Sequence, residues 1–224
     1  MTERRPGAAF EMRLLGCLLM MLVPALAGAR EAAVPLRHLP AEAGPAMRQA
    51  GAETVLGLCM SCHDLKYLRY RDLRAILPSA RIDALRGEHA MDDRLLSMMP
   101  ADARKSMFGL VPPDLSLIAR AREGGADYVY TLLTSYRATA DGSVDNLLFP
   151  GIRMPDPLGS ATSDDPEGVR KTAASVAAFL EWAADPRADD RRRLGAYVLG
   201  YLALLTLLLY LNKRRVWARL PREG

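Results

Sequence analysis

The sequence predicts a mainly α domain with long loops, tethered by one C-terminal transmembrane helix. Three observations predict it. Apolar residues recur at helical spacing between cap and stop residues, with no convincing strand and no internal repeat. The run 194–211 holds 18 residues without a charge. One short motif, Cys59-Met60-Ser61-Cys62-His63, gathers two of the three cysteines and one of the three histidines.

A chain of 224 residues, half of them apolar, can bury one ordinary core and still carry accessory segments. The formal charge of +4 would invite a nucleic-acid partner if it were spread over the domain. It is not. Between Glu31 and Asp190, 18 Lys and Arg stand against 23 Asp and Glu, and the other 12 basic residues lie near the two ends. This is an acidic globular domain between membrane-related segments, which excludes a nucleic-acid binder.

At the N-terminus Arg4, Arg5 and Arg13 precede an apolar stretch, 14–26, and then the small residues Ala27, Gly28 and Ala29. That order predicts a cleaved signal peptide over 1–29, cut after Ala27 or Ala29; the short stretch and Pro24 argue against a spanning helix. Cys17 would leave with it, so Cys59 and Cys62 would be the only thiols of the mature domain, 30–190. Near the other end, a helix over 194–211 would be about 27 Å long, close to the hydrocarbon thickness once flanking arginines snorkel. Arg191, Arg192 and Arg193 flank it on one side, and Lys213, Arg214, Arg215 and Arg219 on the other, with Trp217 as an interfacial ring. The anchor is expected over 191–212 and a cytoplasmic tail over 213–224. With a cleaved signal, the protein would be single-pass in a bacterial-type inner membrane, domain on the periplasmic side and C-terminus in the cytoplasm.

Along the domain, 46–58 reads as a helix running into the motif, weakened by Gly51 and Gly57. The stretch 66–77 reads as a second helix, with Leu65, Leu68, Leu73, Ile76 and Leu77 on one face and Pro78 as its stop. The region 79–100 gives weak signals. A short helix over 102–108 stops at Gly109, and another follows Pro112 and Pro113 with Asp114 as N-cap. Asp127 is expected to cap a helix over 128–136. The Gly-, Pro-, Asp- and Ser-rich stretch 137–165 reads as one long loop, which in a domain of this size points to function. A helix over 167–184 ends before Pro186.

Two thiols three positions apart on one turn can each form a thioether to a porphyrin vinyl group, and the adjoining imidazole then ligates the iron; C-x-x-C-H is that signature for c-type haem. Cysteine pairs also serve zinc sites and redox dithiols. Structural zinc needs four ligands, and His38 and His89 stand in no paired spacing; a thioredoxin-like dithiol needs a βαβ context that is absent. Opposite a haem on His63, a methionine thioether is the usual high-potential ligand. Met154 suits that place, because Pro150, Gly151 and Pro155 restrict its backbone. Met98, Met99 and Met107 read as core positions.

The run 59–73, CMSCHDLKYLRYRDL, resembles the haem segment of the cytochrome c1 family. The runs VPPDLSLIARAR and GGADYVYTLLTSY within 108–136 resemble later segments of that family, and NLLFPGIRMP at 146–155 its methionine-ligand segment. The resemblance implies a cytochrome c-like haem domain with one covalent haem c, thioethers at Cys59 and Cys62, and His63 and Met154 as axial pair. It also implies that Arg120 partners a propionate, and that Pro112 packs on the proximal side and accepts from His63 through its carbonyl. By function it implies a subunit of a proton-translocating quinol:cytochrome c oxidoreductase, not an enzyme on its own. It would sit beside cytochrome b in a dimeric complex, taking single electrons from a Rieske iron-sulfur protein and passing them to a soluble or anchored cytochrome c. The acidic stretch 138–168, with Asp141, Asp145, Asp156, Asp164, Asp165 and Glu167 against Arg153 alone, would form a docking rim. A free-standing anchored cytochrome serving another dehydrogenase or oxidase is the alternative; a haem peroxidase and a zinc or dithiol module are the rivals in other classes.

Overall fold

The computed structural model describes residues 34–40 and 44–218. The expected signal peptide, Cys17 and Arg219 lie outside the described residues. The chain divides into Met1–Pro35 and Leu36–Gly224, and everything below belongs to the second unit.

Helix α1, Pro45–Gly57, starts with proline at its first turn, where a missing N–H costs nothing. It buries Gly51, Ala52 and Val55 against α6, Pro166–Ala184. That crossing is close: a Cβ on Gly51 would stand 1.9 Å from the Ser175 carbonyl oxygen. Small residues on α6, among them Ala173, Ala174 and Ala177, permit the approach, while Val176, Phe179, Leu180 and Trp182 fill the core beside it. Asp165 accepts from the Gly168 N–H at 2.9 Å and caps α6.

The segment expected as a helix over 66–77 is a strand and a 3₁₀ turn. Strand β1, Leu65–Arg69, pairs antiparallel with β2, Arg94–Leu95, across a bulge, and a 3₁₀ helix covers Tyr70–Ala75. The apolar spacing of Leu65 and Leu68 fits a helix, but tertiary partners decide otherwise. The Lys66 N–H donates to Asp114 Oδ2 at 3.0 Å and the Tyr67 N–H to Ser116 Oγ at 3.1 Å. Backbone donors satisfied from another segment hold the strand without an intrahelical ladder. Between them, α2, Ser79–Arg86, occupies the stretch of weak signals and buries Ile82.

Helix α3, Ala101–Phe108, ends as expected at Gly109, whose φ of 71° is the left-handed cap a glycine accepts freely. Met98, before the helix, and Met107, within it, are 89% and 66% exposed, so neither is a core residue. Asp114 does not cap a helix: its carboxylate closes a turn onto the Ser116 N–H and serves β1, and α4 begins only at Ile118, running Ile118–Ala121. Helix α5, Gly125–Leu133, starts two residues earlier than Asp127, which spends its carboxylate on the Leu39 N–H at 2.7 Å and His38 Nδ1 at 2.8 Å. Helices α4 and α5 pack on α6.

The long loop contains a hairpin. Strand β3, Tyr136–Ala138, pairs with β4, Val144–Asn146, around Gly142 at φ 81°. Asp141-Gly142 is a hairpin signal that the polar surroundings obscured. After α6 comes α7, Ala188–Trp217, 30 residues with a mean hydropathy of 2.0 over its most apolar stretch. It is longer than the anchor expected over 191–212, because the charged flanks are helical as well.

Candidate haem site

Helix α1 delivers the motif. At its C-terminus the chain tightens into a 3₁₀ turn, Cys59–Ser61, and the N–H groups of Cys62 and His63 both donate to the Cys59 carbonyl, at 3.1 and 2.8 Å. Both thiols therefore belong to one turn. Burial, and then the neighbouring Cys62, push the Cys59 thiol up to about 11. At neutral pH the free group is therefore a thiol. Among the described residues no group of three or more His, Cys, Asp or Glu is gathered that could hold a metal.

His63 is 9% exposed. Its Nδ1 lies 2.7 Å from the Pro113 carbonyl, which has no proton to give, so Nδ1 carries the hydrogen and Nε2 keeps a free lone pair. The expected acceptor was Pro112; the ring reaches one residue further. Pro112 contributes through its neighbour's backbone, since successive prolines restrict the chain that presents the carbonyl. Burial holds the His63 imidazole below its ordinary range, opposed by that hydrogen bond; Arg104 adds to the lowering and Asp64 counters it. The segment after Pro113 is laced to the motif as well, because the Leu115 N–H donates to the Asp64 carbonyl at 2.8 Å.

Met154 is half-buried and packs on the same core as Cys59. Tyr136 Oη donates to the Met154 carbonyl at 3.1 Å from a position only 6% exposed. Asn146, 2% exposed, shapes the approach: its Nδ2 donates to the Leu132 carbonyl at 2.8 Å, and its Oδ1 accepts from the Leu148 and Phe149 N–H groups. The Asp145 carboxylate accepts from the Gly151 N–H at 2.8 Å. Tyr136 and Asn146 were missed as site residues; only the hairpin they close could have pointed to them. Arg120, exposed on α4, pairs with Asp185, which also receives Arg191 at the start of α7. Asp185 is held below the usual carboxylate range, first by the Arg191 hydrogen bond and further by Arg120.

These residues fit a covalently held haem. Two thiols share one turn, a buried imidazole has one nitrogen engaged and one free, and a soft thioether stands at the edge of the same core. Leu58 beside the motif, and Val111 and Leu117 beside the proline pair, add apolar surface, each between 40% and 43% exposed. Such a donor set on a helical domain, followed by a helix of membrane length, defines the class: a haem protein of the c type with a candidate membrane anchor. The model of the cytochrome C1 family matches residues 46–220. The chain belongs to the cytochrome c1 family, the haem electron-transport subunits of the bc1 complex. Cytochrome c1 of Allochromatium vinosum is 32% identical over 203 residues, covering 75% of this chain and 82% of that relative. A protein named cytochrome b/c1 from Bradyrhizobium diazoefficiens is also 32% identical, over 76% of this chain but only 33% of its own length. A chain of a hyperthermophilic respiratory complex III shares the fold, with a TM-score of 0.57 at 20% identity over 95% of this chain and 97% of that one.

Proposed function

We propose that this subunit takes single electrons from a Rieske iron-sulfur protein and passes them to a soluble or anchored cytochrome c, beside cytochrome b in a dimeric quinol:cytochrome c oxidoreductase. The observation that carries the reading is the buried His63, one nitrogen tied to Pro113 and the other free, within a C-x-x-C-H turn. When bound, the haem supplies a one-electron couple at its iron. Cys59 and Cys62 would hold it through thioethers, and His63 Nε2 and the Met154 sulfur would ligate its iron. The Pro113 carbonyl fixes the plane and tautomer of the imidazole and raises its basicity. Tyr136 restrains the Met154 backbone and so would hold the thioether in one place. Arg120 has donors left beyond its pair with Asp185 and is proposed for a propionate.

We place the signal over 1–29, the periplasmic domain over 30–190, the anchor over 191–212 inside α7, and a cytoplasmic tail over 213–224. The Bradyrhizobium relative, whose name joins b to c1, supports cytochrome b as neighbour. The acidic stretch 138–168 serves in this reading as a rim for a basic cytochrome c. Several of its carboxylates also close turns: Asp156 accepts from the Leu158 and Ala161 N–H groups, and Asp141, bonded to Thr139 and Ser143, is lowered to about 2 and stays ionised. Association with a basic cytochrome c should slow steeply as ionic strength rises; rates independent of salt remove the rim.

The deciding experiment is purification in mild detergent, a pyridine haemochrome spectrum, and identification of the co-purifying subunits. One haem c with cytochrome b and an iron-sulfur protein is the expected result; haem without those subunits favours a free-standing cytochrome. Met154→Lys should lower the redox midpoint and abolish the thioether absorption feature. An unchanged midpoint excludes Met154 as ligand, and carbon monoxide binding by the reduced native protein would favour a peroxidase.

A further inference from the structure

Behind the haem-attachment turn, two opposite charges are buried against each other. The side chains of Arg104, on α3, and Asp64, next to His63, are 6% and 8% exposed, with Nη2 3.1 Å from Oδ2. Arg104 Nη1 also donates to the Cys62 carbonyl at 2.9 Å, and the second Asp64 oxygen accepts from the Ser97 N–H at 2.8 Å. Lys66 approaches Asp64 at 3.5 Å from a half-exposed position. Among the described residues Arg104 Nε has no partner. Arg104 therefore grips the backbone at residue 62 and the side chain at residue 64, on both sides of His63.

A buried ion pair is a poor source of stability, because desolvation offsets the attraction. Its charges are felt strongly nearby, since solvent and salt screen them little. We propose that Arg104 and Asp64 are positioning residues that set the redox potential: together they hold His63 on its backbone and balance the charge beside the iron. The inference rests on the haem reading above. Oxidised iron carries one more positive charge than reduced iron. A lone buried cation therefore favours the reduced state and a lone anion the oxidised one. Arg104 remains charged whatever its surroundings.

The test uses Asp64→Asn, Arg104→Gln and the double variant in the full chain, purified in mild detergent, with haem counted by pyridine haemochrome and midpoints titrated at pH 8. Asp64→Asn should raise the ratio of reduced to oxidised protein at fixed potential about tenfold, an upward shift of about 59 mV for one electron. Arg104→Gln should shift it about tenfold the other way, and the double variant should return to within about twofold of the parent. Shifts of the same sign in the two single variants overturn the proposal, as do unchanged midpoints with only a lowered melting temperature. If one single variant does not accumulate with haem, the sign of the other's shift decides. A parent protein without a haemochrome spectrum would instead overturn the haem reading, so the two failures are distinguishable.

Discussion

Tyr136 shows how one hydroxyl can serve Met154, the proposed ligand, through that residue's backbone alone. Its bond to the Met154 carbonyl joins the hairpin to the loop of the proposed ligand, from a residue only 6% exposed. Tyr136→Phe should cost about 1 kcal/mol, the net worth of one such bond. On heating, the thioether absorption feature should be lost at a lower temperature than in the parent; a variant that keeps the feature to the same temperature would show that Pro150 and Pro155 suffice. Cys59, His63 and Met154 were nominated from the sequence because the case for each lies in its neighbours along the chain. Arg104 and Pro113 were not. Arg104 sits in an ordinary short helix, and nothing local indicates that its partner is Asp64, 40 positions earlier. The choice between Pro112 and Pro113 depends on where the imidazole lies, which only the packed structure decides.

Among the described elements, the crossing of α1 on α6 is the most extensive helix contact, and it has a clear mutational signature. Gly51→Ala gains helix propensity of about 1 kcal/mol, yet the new methyl must displace the Ser175 backbone, which cannot rotate away. Overpacking of that kind costs about 1–3 kcal/mol or more, and we expect a net loss, read as a lower denaturant midpoint. An alanine variant as stable as the parent would mean that the helices separate freely. Sequence patterning recovered the long helices, α1, α6 and α7, because each carries a sustained apolar stripe or run. It failed over Leu65–Arg69, where apolar residues three apart match a helix and donors are met by Asp114 and Ser116 instead. Strand pairing over so few residues leaves almost no periodic trace.

At the scale of the whole molecule, Asp185 is the junction between α6, α4 and the anchor helix, through Arg120 and Arg191. Its folded pKa is depressed, so the stability it contributes is fully present above its unfolded value, about 3.9, and is lost as pH falls through the lower folded value. The parent should therefore lose stability more steeply below about pH 4 than Asp185→Asn, which carries no titrating group there; coincident acid-unfolding curves would show that the junction adds nothing.

The lacing of residues 63–67 to 113–116 also bears on the order of assembly. His63 finds its acceptor 50 positions downstream, and Lys66 and Tyr67 find theirs at separations of 48 and 49. Contacts so far apart in the chain must wait for a large loop to close. During synthesis the five-residue motif is therefore complete well before the downstream segment exists to clamp it. In the haem reading proposed above, the absence of the clamp early in the life of the chain would be the interval in which Cys59 and Cys62 take up the cofactor.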